Sequence, residues 1–152
     1  MIPFKKIICP TDFSEPSYEG VKAANELAVH FSAELILVNV VAPIPPIAFP
    51  GVAQGFDIGQ YQKEMLSSSK RSLSDVSKNM ISGNLQFREV VLEGPPADQI
   101  VALADSEKAG AIIIATHGLT GWRRFIFGSV SEKVVRLASC PVITIPAPHE
   151  DK

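Results

Sequence analysis

Short apolar runs alternate with longer stretches of helical periodicity along this chain. The run from Leu35 to Val41 is apolar almost throughout, whereas the apolar residues after Glu15 recur at spacings of three and four. The first pattern is typical of a strand buried on both faces of a parallel sheet. The second pattern is that of an amphipathic helix. The chain is therefore expected to alternate between buried strands and surface helices.

The apolar runs predict five strands and the periodic stretches predict four helices, in strict alternation. The strands are predicted at Lys5–Pro10, Leu35–Val41, Leu85–Leu92, Ala111–Ala115 and Val142–Ile145. The third strand alternates in polarity, which places it nearer an edge of the sheet. This order of elements specifies an α/β fold with a doubly wound parallel sheet, formed as a single domain by residues 1–152.

The first predicted helix begins at Glu15 with Ser14 as its N-cap, and it carries Gly20 in its interior at a cost of about 1 kcal/mol relative to alanine. The second helix ends at Gly83 and exposes Ser67, Ser68 and Ser69. Its inward face is predicted to consist of Tyr61, Met65, Leu73, Val76 and Met80. The third helix opens at Pro95-Pro96 and ends at Gly110, and the fourth begins at Ser129.

Proline and glycine exclude regular structure from the stretch between Val41 and Phe56. A loop of this length in a small domain is typically functional or mobile. Because the loop also contains apolar residues, it is equally compatible with a flap packed over a sheet edge. The sequence leaves these two interpretations open.

Composition limits the classes of partner. The 152 residues carry a formal net charge of −2, so there is no strong positive field to hold nucleic acid or anionic lipid. No apolar run is long enough to cross a membrane and no leader pattern follows Met1, so a soluble cytoplasmic protein is expected. Cys9 and Cys140 are interpreted as buried free thiols.

Three segments are candidates for chemistry because ligands of parallel sheets bind beyond the carboxyl ends of strands. They are Pro10–Ser14, Val40–Ala42 and Thr116–Ser129. Ser129 and Glu132 match a capping box, which is the favoured local interpretation of the fourth helix start. Gly128-Ser129 at a helix start would equally offer backbone N–H groups to a phosphate, and the two interpretations are compatible.

Enzyme signatures are missing from the sequence. It contains neither a G-x-S-x-G nucleophile elbow nor a phosphate-loop lysine after G-x-x-x-x-G. No catalytic residue is therefore predicted.

The combined motifs resemble the universal stress protein family. ATP-binding members of that family carry Gly-x-x-Gly, nine residues, and then Gly-Ser or Gly-Thr. This chain has Ala115-Thr116-His117-Gly118, the stretch Leu119–Phe127, and then Gly128-Ser129. Pro10–Ser14, Glu93–Ala97 and Cys140–Ile143 are similar to the family's opening, strand-three exit and closing strand. The resemblance covers essentially the whole chain.

The resemblance implies a strand order of 3-2-1-4-5 and an ATP site with Mg²⁺ or Mn²⁺. Pro10, Thr11 and Asp12 would lie by the adenosine or the metal, with Asp12 as the metal residue, and Val40 would touch adenine. The ribose and phosphates would be held by Ile114, Ala115, His117, Gly118, Gly128, Ser129, Val130 and Ser131. The resemblance also implies a homodimer through the strand Val142–Ile145.

Ala115 departs from the family pattern, because the first motif glycine is replaced. An added Cβ would crowd a ligand, or would be strained if the backbone required a positive φ. Two of these residues also have a purely structural interpretation. His117 could be a solvated or capping side chain, and Asp12 could form an Asx turn.

Two functions follow. The favoured one is an ATP-binding regulatory protein of the stress response, a nucleotide-dependent switch or interaction module with at most slow hydrolysis or self-phosphorylation. The alternative is a nucleotide-independent dimeric interaction protein with a decayed pocket.

Overall fold

The computed structural model describes residues 4–45, 55, 57–116 and 128–146. Its strands are β1 (Lys6–Pro10), β2 (Glu34–Val41), β3 (Phe87–Glu93), β4 (Ala111–Ala115) and β5 (Val142–Ile145). Its helices are α1 (Glu15–Phe31), α2 (Ile58–Met80), α3 (Pro96–Glu107) and α4 (Ser129–Leu137). The strands pair in parallel in the order β3-β2-β1-β4-β5, which confirms the predicted fold and places β3 at an edge.

The alternation of side chains along the strands separates two cores. Ile7, Cys9, Leu35 and Leu37 pack with Ile113 against α1 and α2. Their neighbours in sequence face α3 and α4 on the other side of the sheet, namely Ile8, Ile36, Val38, Ile112 and Ile114. α1 and α2 cover one face of the sheet, and α3 and α4 cover the other. Since α1 follows β1 and α4 follows β4, helices of both layers begin at the carboxyl ends of these two neighbouring strands.

Two predicted helix ends are wrong. α2 ends at Met80, because Ile81 is already extended, so Gly83 lies beyond the helix. α3 ends at Glu107, and its C-cap is Lys108 in the left-handed conformation. Gly110 instead donates its N–H to the carbonyl of Lys6 at 2.9 Å and so leads into β4. In both cases glycine was favoured by its conformational freedom, but an ordinary residue ends the helix.

The inward face predicted for α2 is only partly correct. Leu73 is fully buried and Val76 is 6% exposed, whereas Tyr61 and Met65 are 39% and 41% exposed. Only the second half of α2 therefore covers the sheet with apolar side chains. The prediction of a solvated serine run is wrong for Ser69, which is 5% exposed and packs towards β2.

The two thiols are free, as predicted, but only Cys9 is buried, whereas Cys140 is partly exposed. Cys9 belongs to the core beneath α1, and Cys140 packs against the core on the opposite face of the sheet. Burial raises the pKa of Cys9 to about 12 and also raises that of Cys140.

No helix within the described residues has the length and apolarity to cross a membrane. Most of the loop between Val41 and Phe56, namely residues 46–54 and 56, lies outside the described part of the chain.

Candidate functional site

A cavity of about 350 Å³ lies at the carboxyl ends of β1, β2 and β4. This volume is within the range of about 300–1,000 Å³ that small-molecule sites occupy. Ten of the predicted site residues line it: Pro10, Thr11, Asp12, Val40, Ile114, Ala115, Gly128, Ser129, Val130 and Ser131. His117 and Gly118 lie outside the described residues. The sequence prediction did not include Ser17, Val38, Asn39, Pro96 and Ile100, which also line the cavity.

Buried hydroxyl groups hold the chain where it leaves β1. Thr11 Oγ1 lies 2.8 Å from Ser17 Oγ, and Ser17 Oγ donates to the carbonyl of Ser14. Because the Ser17 proton is used in that bond, Thr11 Oγ1 is the donor of the first one. Thr11 Oγ1 also accepts from the N–H of Phe13, whose φ of 66° is left-handed. The Thr11 hydroxyl is thus committed to shaping the turn.

Asp12 adopts the Asx turn that the sequence left open as an interpretation. Its Oδ1 accepts from the Ser14 N–H at 3.0 Å and from the Ser14 hydroxyl. Ser14 in turn caps α1, accepting from the N–H of Ser17 as predicted. The Asp12 side chain is exposed and lines the cavity. This turn therefore presents a carboxylate of fixed orientation at the cavity rim.

Asn39 is the one polar residue between Leu35 and Val41 of β2, and the sequence prediction overlooked it. Its Nδ2 donates to the carbonyl of Thr11 at 2.7 Å. Its Oδ1 accepts from Ser69 Oγ of α2 at 2.6 Å. Asn39 thus joins the exit of β1 to β2 and α2. The interruption of the apolar run at this position was the signal that could have revealed it.

The backbone N–H and C=O groups of Val40 point to the β1 side of β2, beyond the last residue of β1. The Val38 carbonyl accepts from the N–H of Thr11, on the β1 side, whereas the Val41 carbonyl accepts from Gly94, on the β3 side. Successive residues of a strand direct their N–H and C=O groups to alternate sides, so the N–H and C=O of Val40 face the β1 side. Since β1 ends at Pro10, both groups face the cavity.

α4 begins at Ser129 as predicted, but its N-cap differs from the favoured sequence interpretation. Gly128, not Ser129, is the N-cap, because the N–H of Glu132 donates to the Gly128 carbonyl at 2.9 Å. With Gly128 as the N-cap, Glu132 is the fourth helical residue and not the third, so the predicted capping box does not form. Ser131 Oγ donates back to the same carbonyl. No side-chain cap covers the first turn of α4, so its N–H groups and the positive end of the helix dipole lie at the cavity.

The methyl group of Ala115 points towards α1 and away from the apolar wall of the cavity. Ala115 lies on the same face of β4 as Ile113, and an added Cβ on Gly20 of α1 would be 3.4 Å from its Cβ. Ala115 is also absent from the described residues with positive φ, so the suggested left-handed strain does not arise. Ala115 and Gly20 together allow α1 and β4 to approach closely.

The cavity is therefore apolar on one side and polar on the other. Val38, Val40, Pro96, Ile100 and Ile114 form the apolar side, which suits a flat ring. The start of α4 forms the polar side, which suits an anion. Asp12 is the one charged residue among the described residues that line the cavity.

Comparison with known proteins gives the family. Residues 3–146 match the universal stress protein family. The universal stress protein MJ0531 of Methanocaldococcus jannaschii is 34% identical over 148 residues, which cover 97% of this chain and 85% of that protein.

Solved structures show the same fold. MJ0577 of Methanocaldococcus jannaschii is similar with a TM-score of 0.78 at 24% identity, over 97% of this chain and 99% of that one. A universal stress protein from Archaeoglobus fulgidus in complex with dAMP has a TM-score of 0.58 at 26% identity, over 95% of this chain and 98% of that one. With its matched residues and its strand order, this chain belongs to the universal stress protein family.

Proposed function

We propose that this chain is an ATP-binding regulatory protein of the stress response and acts as a nucleotide-dependent switch or interaction module. The observation that carries the proposal is the cavity, in which an apolar wall lies beside the uncapped start of α4. The dAMP complex of the Archaeoglobus fulgidus relative supports an adenine nucleotide as the class of ligand.

Each part of the ligand would meet residues of matching chemistry. The base would lie against Val38, Val40 and Ile114, with its polar edge at the Val40 peptide group. The phosphates would accept hydrogen bonds from the first N–H groups of α4 and from the hydroxyl of Ser129. Because Gly128 has no side chain, the phosphates could approach this backbone closely.

The donor set at the cavity rim fits Mg²⁺ only together with a nucleotide. Within the described residues, no group of three or more metal-binding side chains comes together. Mg²⁺ commonly uses one or two carboxylates together with substrate phosphates, and Asp12 would supply one such carboxylate. Such an ion would offset the negative charge of the phosphates, while Ser14 fixes the orientation of the Asp12 side chain.

The second candidate function is nucleotide-independent interaction through a homodimer. β5 is an edge strand, and Val142, Ile143 and Ile145 are only partly buried there. An apolar edge strand favours pairing with a second copy. The argument that Ala115 marks a decayed pocket is weakened, because its methyl group points towards Gly20.

Calorimetric titration with Mg-ATP tests the proposal. The native chain is expected to bind, and Gly128→Val is expected to lose at least tenfold in affinity because its side chain would cover the start of α4. Gly128 has φ −62° and ψ 153°, which valine also adopts, so the variant is expected to fold.

Gly83→Val is the matched control, since an added Cβ there meets nothing within 4 Å. It is expected to bind like the native chain. Equal affinity of the Gly128→Val variant and the native chain would place the nucleotide elsewhere, and no binding by the native chain would favour the interaction protein.

A further inference from the structure

We propose that Asn39, held by Ser69, is a positioning residue that keeps the Val40 peptide group available to the base of the ligand. This inference rests on the proposed function, because it concerns how the same cavity distinguishes one base from another. It assigns a role to two residues on a side of the sheet that the phosphates would not reach.

The argument begins with the hydrogen-bond ladder between β1 and β2. The N–H of Glu34 donates to the carbonyl of Lys5, and the N–H of Thr11 donates to the carbonyl of Val38. In a parallel ladder with this register, the next bond would run from the Val40 N–H to the Thr11 carbonyl. Within the described residues, the Thr11 carbonyl accepts instead from Asn39 Nδ2 at 2.7 Å. The side chain of Asn39 thus takes the place of the Val40 N–H.

The orientation of the Asn39 amide follows from its two partners. A carbonyl oxygen can only accept, so the NH₂ group must face Thr11. The amide oxygen then faces Ser69, whose hydroxyl donates to it at 2.6 Å. Ser69 is 5% exposed and lies on α2, so the bond is partly shielded from water. Ser69 therefore fixes which end of the Asn39 side chain meets the turn after β1.

An apolar residue would be the ordinary choice at position 39. The side chains of Leu35 and Leu37 lie on the same face of β2 and are fully buried in the core beneath α1 and α2. A polar amide there is tolerated because both of its ends are paired. The ligand-free protein gains little from exchanging a backbone donor for a side-chain donor on the same carbonyl. What the exchange changes is the Val40 N–H, which is left facing the cavity.

The consequence is selectivity for the base. A strand peptide offers one donor and one acceptor, and adenine offers an acceptor at N1 beside the amino group on C6. Guanine reverses both, with an N–H at position 1 and a carbonyl at position 6. If the Val40 N–H were bonded to the Thr11 carbonyl, Val40 would no longer have a donor for the base. The preference for adenine would then fall.

Hydrogen exchange tests the positioning without any nucleotide. In the native chain, the Val40 amide is expected to exchange quickly. In Asn39→Leu the Thr11 carbonyl is released, so the Val40 amide is expected to pair with it and exchange at least tenfold more slowly. Equal exchange in the two proteins would overturn the inference, whatever the protein binds.

Titration with ATP and GTP tests the consequence. Asn39→Leu and Ser69→Ala are expected to raise the Kd for ATP about tenfold, the equivalent of one hydrogen bond, and to leave the Kd for GTP within about twofold. Ser77→Ala is the matched control, because Ser77 is also a buried serine of α2 but bonds Glu89 and Ser74. It is expected to change neither affinity.

The outcomes separate the two proposals. Equal weakening of ATP and GTP would mean a collapsed turn rather than base selection and would overturn the inference. Slowed exchange of Val40 in Asn39→Leu, with no nucleotide binding by the native chain, would support the positioning and overturn the proposed function alone.

Discussion

Short polar side chains hold the turn after β1 in place beside the cavity. Thr11, Ser17, Asn39 and Ser69 each make a hydrogen bond of 2.6–2.8 Å to another residue of the set or to a backbone carbonyl of the turn after β1. A buried polar group without a partner would cost about 1–3 kcal/mol, so these residues stabilise the turn only as a connected set. Three of them, Thr11, Ser17 and Asn39, also line the cavity.

Because of Cys9, the free energy of unfolding is expected to depend on pH in the alkaline range. Burial raises its pKa from 9.0 to about 12, so the folded state keeps the thiol neutral while the unfolded state ionises. The stabilising contribution is complete below pH 9 and is lost as the pH rises towards 12. Urea unfolding at pH 8 and pH 10.5 is expected to show the native chain losing about 2 kcal/mol more than Cys9→Ala.

Cys140→Ala is the control for this measurement. Cys140 is only partly buried, so its removal is expected to alter the alkaline loss far less than removal of Cys9. Parallel loss in the native chain and Cys9→Ala would show that the Cys9 thiol is not protected by the core.

α1 and β4 pack closely where Gly20 meets Ala115. A Cβ added at Gly20 would be 3.2 Å from the backbone nitrogen of Ala115, which is tighter than an ordinary contact. β4 is a buried inner strand between β1 and β5, so its backbone cannot move aside easily. The glycine that costs helix propensity is therefore required by packing.

Gly20→Ala is expected to destabilise the protein by up to about 2 kcal/mol, because the overpacked contact costs about 1–3 kcal/mol and helix propensity returns only about 1 kcal/mol. Gly83→Ala is the control, since the space around Gly83 is open. Urea unfolding of both variants checks this. A Gly20→Ala variant as stable as the native chain would contradict the account of the contact.

The elements were largely predictable, because apolar runs and helical spacing report burial directly. β4 and β5 match their predicted bounds, and α1 begins at Glu15 as expected. The errors lie where two backbone solutions compete: Gly128 replaces Ser129 as the N-cap, and Lys108 rather than Gly110 ends α3. Hydrogen bonds such as that of Ser69 with Asn39 depend on how α2 packs on β2, which spacing alone does not reveal.

The two ends of the sheet carry different chemistry. At the amino ends, Lys6, Glu34, Arg88 and Glu107 form a chain of ion pairs. At the carboxyl ends lies the cavity. This chain of ion pairs lies at the end of the sheet opposite the region proposed to bind anions, and no cation is among the described residues that line the cavity.

The homodimer proposed through β5 requires the outward peptide groups of that strand. The carbonyls of Pro141 and Ile145 accept from β4 and from Thr116, so the Thr144 N–H points away from β4 by strand alternation. Thr144→Pro is therefore expected to abolish the dimer while leaving the pairing with β4 intact.

Sedimentation at micromolar concentration checks this, with Thr144→Val as the control that retains the N–H. The native chain and Thr144→Val are expected to be dimers and Thr144→Pro a monomer. A native monomer, or a dimeric Thr144→Pro variant with β5 intact, would rule out pairing through this edge.

The central proposal is an adenine nucleotide in the cavity at the carboxyl ends of the strands. Amide NMR during titration with Mg-ATP tests both binding and place in one measurement. The amides of Val40, Ser129, Val130 and Ser131 are expected to shift with a common saturation curve, while those of Lys6, Glu34 and Arg88, at the opposite end of the sheet, stay in place. Unmoved cavity amides at saturating Mg-ATP, or shifts confined to the amino ends of the strands, would contradict the account.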